Sequence, residues 1–180
     1  MTRVAGKTEA AVFDASPLIF LARLDLLREA LGLFAPSVVA TSVREEVVDI
    51  GRQIGAPETV EIERAFGDRS LMVEVAPETA LGRRLESNTV LSRADRDSLV
   101  LAAEMKARLL ADDAAVRSVA RRLRIRLGGT FYVLFVLVEK ESLGPRDAVE
   151  HLDRLIDLGW SCSASLYRSA RALLEGRIRT

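Results

Sequence analysis

The fold of this chain is organised around residues 11–19, which read AVFDASPLI. An apolar run ends in a single acid, Asp14, and Ser16 and Pro17 then predict the N-cap and first turn of a helix. This order indicates a buried strand over residues 10–13 that delivers a carboxylate to its C-terminal end. Because open parallel sheets bind ligands at that edge, Asp14 is the first candidate site residue.

The composition indicates a folded protein without strong charge bias. Of the 180 residues, 49% are hydrophobic, which is enough for a real core. Lys plus Arg and Asp plus Glu number 26 each, and this balance argues against a protein that coats nucleic acid non-specifically. The balanced total charge is still compatible with a local basic groove beside an acidic site.

The low numbers of cysteine and histidine exclude several classes of functional site. The one cysteine, Cys162, forms no intramolecular disulfide and builds no cysteine zinc site. The one histidine, His151, lies in a polar helical stretch and cannot form a two-histidine metal site. The longest apolar run, residues 131–138, is far shorter than the roughly 20 residues of a membrane span. We therefore expect a cytoplasmic protein with no membrane partner.

Four further segments resemble strands and alternate with helical patterns. They are residues 37–40, 71–75, 109–111 and 124–127. From Phe131 onward the pattern is helical, with Pro145 opening one helix and another spanning about 163–175. The pattern predicts an α/β fold with three α/β/α layers, a mainly parallel sheet of about five strands and a C-terminal helical extension. We expect a single domain over residues 1–180, with its core at about 10–131 and the extension at about 131–180.

Acidic residues fall near the same predicted sheet edge in several places. Besides Asp14 they are Glu45, Glu46, Asp95, Asp97, Asp112 and Asp113. Carboxylates in one cleft repel each other, and a divalent cation removes that cost. Oxygen ligands without histidine or cysteine suit Mg²⁺ or Mn²⁺, which activate water and neutralise phosphodiester charge. Metal-dependent phosphodiester hydrolysis is the expected chemistry.

Each acid also has a structural interpretation. Asp95 is a capping-box partner for Ser92, and Asp112 is a possible N-cap of the next helix. Glu45 and Glu46 are equally compatible with a solvated helix face. The functional interpretation depends on the joint placement of the acids.

Four segments, taken in order, resemble the PIN-domain nucleases, a family that includes the VapC toxins of toxin–antitoxin pairs. They are VFDASPLI (12–19), VREEV (43–47), ADRDSLVLA (94–102) and LLADD (109–113). The similarity is closest to a PIN-like subgroup that pairs a D-A-S-P-L-I start with a late D-D-x-x-x-R and a Gly-Thr. Here those late elements are Asp112 to Arg117 and Gly129-Thr130.

The resemblance implies a PIN-like fold and a Mg²⁺- or Mn²⁺-dependent ribonuclease. It places Asp14, Glu46, Asp95 and Asp113 as the catalytic, metal-holding acids. Supporting roles fall to Ser16, Asp97, Asp112, Arg117 and Thr130. Asp97 is a rival to Asp95 as the third acid, and Arg117 is either a phosphate contact or a solvated helix residue. The implied partners are an RNA substrate, an antitoxin protein and a second copy of the chain in a homodimer.

Two alternative functions are suggested by features of the same sequence. A non-catalytic PIN-like module that binds nucleic acid or a partner is suggested by Ala111, where PIN toxins often have threonine, and by the ambiguity between Asp95 and Asp97. A phosphotransferase of the HAD type also begins with an acid after its first strand. That chemistry needs a second Asp at the position of Ser16, so it is disfavoured.

Overall fold

A five-stranded, all-parallel sheet forms the centre of the computed structural model, which describes residues 9–178. Its strands are β1 (Ala11–Phe13), β2 (Ser37–Ala40), β3 (Met72–Glu74), β4 (Arg108–Leu110) and β5 (Leu127–Gly128). Their order across the sheet is β3-β2-β1-β4-β5, and every neighbouring pair is parallel. The predicted parallel sheet of about five strands is confirmed.

Helices cover both faces of this sheet and complete the predicted α/β/α arrangement. They are α1 (Ala15–Arg23), α2 (Leu27–Leu31), α3 (Thr41–Arg44), a π-helical segment (Glu45–Ile50), α4 (Gly51–Gln53), α5 (Thr59–Gly67), α6 (Ala80–Glu86), α7 (Arg93–Glu104), α8 (Ala114–Arg122), α9 (Thr130–Glu139), α10 (Pro145–Asp157) and α11 (Ala164–Ile178). The predicted fold class is confirmed. The predicted domain boundaries stay a prediction.

The strand order positions the candidate site. Strand β1 is central, and its three residues are fully buried because helices pack on both faces of the sheet. From β1 the chain builds β2 and β3 on one side, and β4 and β5 lie on the other. The order therefore reverses between β1 and β4, and the crevice beyond their carboxyl ends is where open α/β sheets bind ligands. The backbone amide of Asp14 donates to the carbonyl of Leu110 across this point, at 2.9 Å.

Three local predictions were wrong or incomplete. The N-cap of α1 is Asp14 instead of Ser16, which lies inside the first turn. The fifth strand begins at Leu127, because Arg124 has a positive φ of 57° and the Ile125 amide still donates to Ala120 of the preceding helix. The helix after β2 contains a π-helical segment that no residue pattern had indicated.

The C-terminal helices pack as a layer against the rest of the molecule. Helix α9 buries Val133, Leu134 and Leu137 completely, so its apolar run belongs to the core. Helix α10 packs on α9 and α11, and Trp160 in the connection between α10 and α11 is only 6% exposed. Within residues 9–178, no helix combines the length and apolar character that crossing a membrane requires.

Candidate active site

Asp14 is the most buried acid of the candidate site. It follows β1 directly and is only 4% exposed. Burial is the main cause that raises its pKa to about 7, and the nearby charges of Asp95, Glu46 and Asp112 raise it further. The backbone amide of Ala15 opposes this rise in part. A carboxyl that titrates near neutrality at a ligand-binding edge is typical of a functional site.

Glu46 reaches the same cluster from the π-helical segment after β2. Its pKa is raised by burial and by the charge of Asp95. Glu45, the neighbouring acid, is directed elsewhere and lies 3.7 Å from Arg93 in an ion pair. Adjacent residues on a helix point in different directions, so only one of the two reaches the cluster. A π-helical turn at this position matches the frequent occurrence of such turns at functional sites.

The third acid of the cluster comes from the first turn of α7. Asp95 forms the predicted capping box with Ser92, accepting its backbone amide at 2.6 Å, and its charge also acts on Asp14 and Glu46. Asp97 instead accepts a hydrogen bond from Ser42 at 2.6 Å and pairs with Arg93 at 3.7 Å. The capping and clustering roles of Asp95 are therefore compatible, and Asp97 braces α7 against α3.

Asp112 is the acid after β4 whose charge acts on Asp14. Its carboxylate is held by buried Thr130, which donates through its amide to Oδ1 at 2.9 Å and through its hydroxyl to Oδ2 at 2.5 Å. Gly129 permits this approach, since a Cβ there would lie 2.6 Å from Asp112 Oδ1. The sequence pattern had included Gly129 and Thr130 without indicating that they orient Asp112.

Asp113, predicted as the fourth metal-holding acid, has a capping position in the structure. It is the exposed N-cap of α8, and its Oδ1 accepts the amides of Ala115 and Val116 at 2.8 and 2.9 Å. Its charge is not among those that raise the pKa of Asp14. The capping role considered for Asp112 thus belongs to Asp113, and Asp112 is the residue at the acidic cluster.

Arg117 connects the ends of two strands beside the cluster. Its Nη1 donates to the carbonyl of Ala111 at 2.9 Å and to that of Gly128 at 2.6 Å, which ties β4 to β5. Burial and the charge of Arg121 lower its pKa, whereas Asp112 raises it. Arg117 is therefore a half-buried positioning residue rather than a solvated helix residue.

The donor chemistry of the cluster fits a hard divalent cation. Asp14, Glu46, Asp95 and Asp112 offer only carboxylate oxygens, and the pKa of Asp14 is raised mainly by burial and further by the charges of the other three. Within the described residues, no three Asp, Glu, His or Cys side chains are arranged so that they could hold an ion without moving. A cation bound there would require these carboxylates to move closer together, and it would offset their mutual repulsion.

The sequence model of the PIN-domain family matches residues 10–176. The chain belongs to the PIN-domain family. PIN domains are typically nucleases and generally use divalent metal ions, so a nuclease-type hydrolase is the function class that the family indicates. The matched range includes the C-terminal helices as well as the sheet. No curated protein matches the chain.

Proposed function

We propose that this PIN-domain protein is an endoribonuclease that depends on Mg²⁺ or Mn²⁺ and hydrolyses RNA phosphodiesters. The observation that carries the proposal is the buried carboxylate of Asp14 at the point where the strand order reverses, with its pKa raised to about 7. Burial and three neighbouring acids cause that shift, and such a constellation favours a cation beside a phosphodiester. Asp14, Glu46, Asp95 and Asp112 are the residues that would hold the ion.

The residues of the candidate site have different roles in hydrolysis. A bound Mg²⁺ or Mn²⁺ supplies an acidified water and neutralises charge on the phosphodiester. Thr130 orients the carboxylate of Asp112 with two hydrogen bonds, and Arg117 fixes the backbone on either side of it. The Asp14 carboxylate would be ionised when it holds the ion, so it would contribute a ligand oxygen and release its proton as the ion binds.

We also propose that the ribonuclease is the toxin of a toxin–antitoxin pair, with an antitoxin protein as partner and a homodimer as its assembly. The resemblance to VapC-type PIN domains supports this role. Three exposed apolar side chains also support it, because Ile50, Ile54 and Val60, on the π-helical segment, just after α4 and on α5, are 51%, 75% and 55% exposed. Exposed apolar side chains of this kind are typical of surfaces that a partner covers.

A growth assay tests the toxin role, and a cleavage assay tests the ribonuclease activity. Induced expression of the wild-type chain in bacteria is expected to arrest growth. The purified protein is expected to cleave single-stranded RNA with Mn²⁺, and excess EDTA should stop the reaction. An RNA-cleaving protein whose expression leaves growth unchanged would contradict the toxin role alone. Absence of cleavage in Mn²⁺ or Mg²⁺ by folded protein would contradict the ribonuclease itself.

A further inference from the structure

A small cavity adjoins the acidic cluster on the side of β5 and the C-terminal helices. Its volume is about 210 Å³, and Asp112 and Arg117 form the wall nearest the cluster. Phe131, Tyr132 and Trp160 also line it. Pockets for drug-sized molecules measure roughly 300–1,000 Å³, so this cavity suits a single ring system.

The cavity gathers three of the nine aromatic residues of the chain. Phe131 and Tyr132 come from the first turn of α9, whereas Trp160 comes from the connection between α10 and α11. Single-stranded RNA is recognised by splaying out bases and stacking them on aromatic rings or arginine planes. Arg108 already covers one face of Tyr132, 4.5 Å from the ring centroid, so only the remaining aromatic surface of the cavity can stack on a base.

Trp160 carries an unpartnered donor at this place. The residue is 94% buried, and its indole Nε1 has no hydrogen-bond acceptor within the part of the chain that the structure describes. An unsatisfied buried N–H is costly, and because this atom has almost no accessible surface, a ligand's acceptor would reach it only after a small shift of the cavity wall. The edges of nucleobases carry acceptor atoms of this kind.

Arg117 adds a second set of donors on the opposite wall. Its two hydrogen bonds both use Nη1, and a guanidinium has five N–H donors. Nε and Nη2 form no hydrogen bond to any described residue, so they remain able to contact a base or a phosphate oxygen. Leu166, contributed by α11, closes the cavity with apolar surface.

We propose that this cavity is a base-binding subsite, in which one nucleobase of single-stranded RNA lies between the aromatic residues and Arg117 while its phosphate extends toward Asp112. The inference rests on the proposed ribonuclease function and deepens it. It gives the helical extension a part in substrate selection, because Trp160 and Leu166 belong to the extension. Base preference in cleavage is then determined by the indole N–H of Trp160 and by the size of the cavity.

The fluorescence of Trp160 tests binding directly, because it is the only tryptophan of the chain. Each of the four nucleoside 5′-monophosphates is titrated into the protein in Mg²⁺, and ribose 5-phosphate serves as the control without a base. We expect saturable quenching whose strength differs between bases, with a much weaker effect of ribose 5-phosphate. Quenching that is equal for ribose 5-phosphate and the nucleotides, or absent for all, would overturn the subsite.

Variants test the same subsite through cleavage. Trp160→Phe keeps a buried ring and removes the N–H, and it is expected to raise KM about tenfold for RNAs with the preferred base while changing kcat little. Leu166→Phe narrows the cavity from a half-exposed position and should shift preference toward smaller bases. Leu173→Phe, on the same face of the helix two turns beyond Leu166 and outside the cavity, is the matched control.

The outcomes separate this inference from the function on which it rests. Cleavage that keeps its base preference in both cavity variants would contradict the subsite and leave the ribonuclease intact. Base-dependent quenching in a protein that cleaves no RNA would support a nucleotide site and contradict the ribonuclease. A change of preference in Trp160→Phe and Leu166→Phe, with Leu173→Phe unchanged, supports both.

Discussion

Replacing Asp14 with Asn is expected to reduce RNA cleavage by at least about 1,000-fold while making the metal-free protein more stable at neutral and alkaline pH. The loss of activity follows because the variant removes a charge from the proposed cation site, where electrostatic stabilisation is worth several kcal/mol. The gain in stability follows because a buried carboxylate surrounded by other acids is strained, and a neutral amide of the same shape relieves that repulsion.

The pH dependence of this gain has a definite sign. The pKa of Asp14 is about 7 in the folded chain, against 3.8 for the unperturbed group. Between those values the folded protein holds a proton that the unfolded chain has lost, so stability falls as pH rises through this window. From pH 5 to pH 8, the difference in unfolding free energy between Asp14→Asn and wild type should grow by on the order of 2–3 kcal/mol.

Urea unfolding in EDTA at both pH values measures this difference, and gel-based cleavage with Mn²⁺ measures activity. Asp49→Asn is the matched control, because Asp49 lies in the same π-helical segment as Glu46 but pairs with Arg44 at 3.1 Å. The control should keep wild-type cleavage. A pH-independent stability difference would show that Asp14 is not the strained acid described above.

The second large expected effect is a difference in cleavage rate between variants of two neighbouring acids, Asp112 and Asp113. Asp112→Asn should lower the cleavage rate at least about 100-fold, the cost typical of removing one preorganised charge-stabilising group. Asp113→Asn should leave both cleavage and stability close to wild type, because Asn caps helices as well as Asp does. Asp113→Ala should lose about 1 kcal/mol of stability with cleavage largely retained, since it removes the acceptor for Ala115 and Val116.

Single-turnover cleavage rates and urea midpoints for the three variants measure these effects. If Asp113→Asn lost as much activity as Asp112→Asn, Asp113 would be a metal-holding acid as the family resemblance implied. The assignment of Asp112 would then have to be abandoned.

The sheet was predictable because its signals are local. Apolar residues at 11–13 followed by Asp14 predict a buried strand that ends at the ligand-binding edge, and β1 has that form. The capping box of Ser92 and Asp95 and the helix opened by Pro145 were likewise given by residues a few positions apart. Strand β5 was misplaced because apolar Ile125 lies in a turn, which the positive φ of Arg124 creates.

The site was less predictable because it depends on the directions of side chains and on residues that are far apart in the sequence. Spacing alone does not tell which of two adjacent acids faces a cleft, and the two hydrogen bonds from Thr130 to Asp112 are visible only in the structure. The aromatic cavity could not be predicted either, because its residues are far apart in the sequence. Phe131 and Trp160 lie 29 positions apart, and each had the pattern of an ordinary core residue.

Calorimetric titration of Mn²⁺ into metal-free protein at pH 7 tests the central claim most directly. In two buffers of different ionisation enthalpy, the wild type is predicted to bind Mn²⁺ saturably and to release protons from Asp14, because its pKa is raised to about 7 and bound carboxylates must be ionised. Asp14→Asn should bind far more weakly and release no such proton. Absence of saturable binding by the wild type, or equal binding by Asp14→Asn, would contradict a cation site at this acidic cluster.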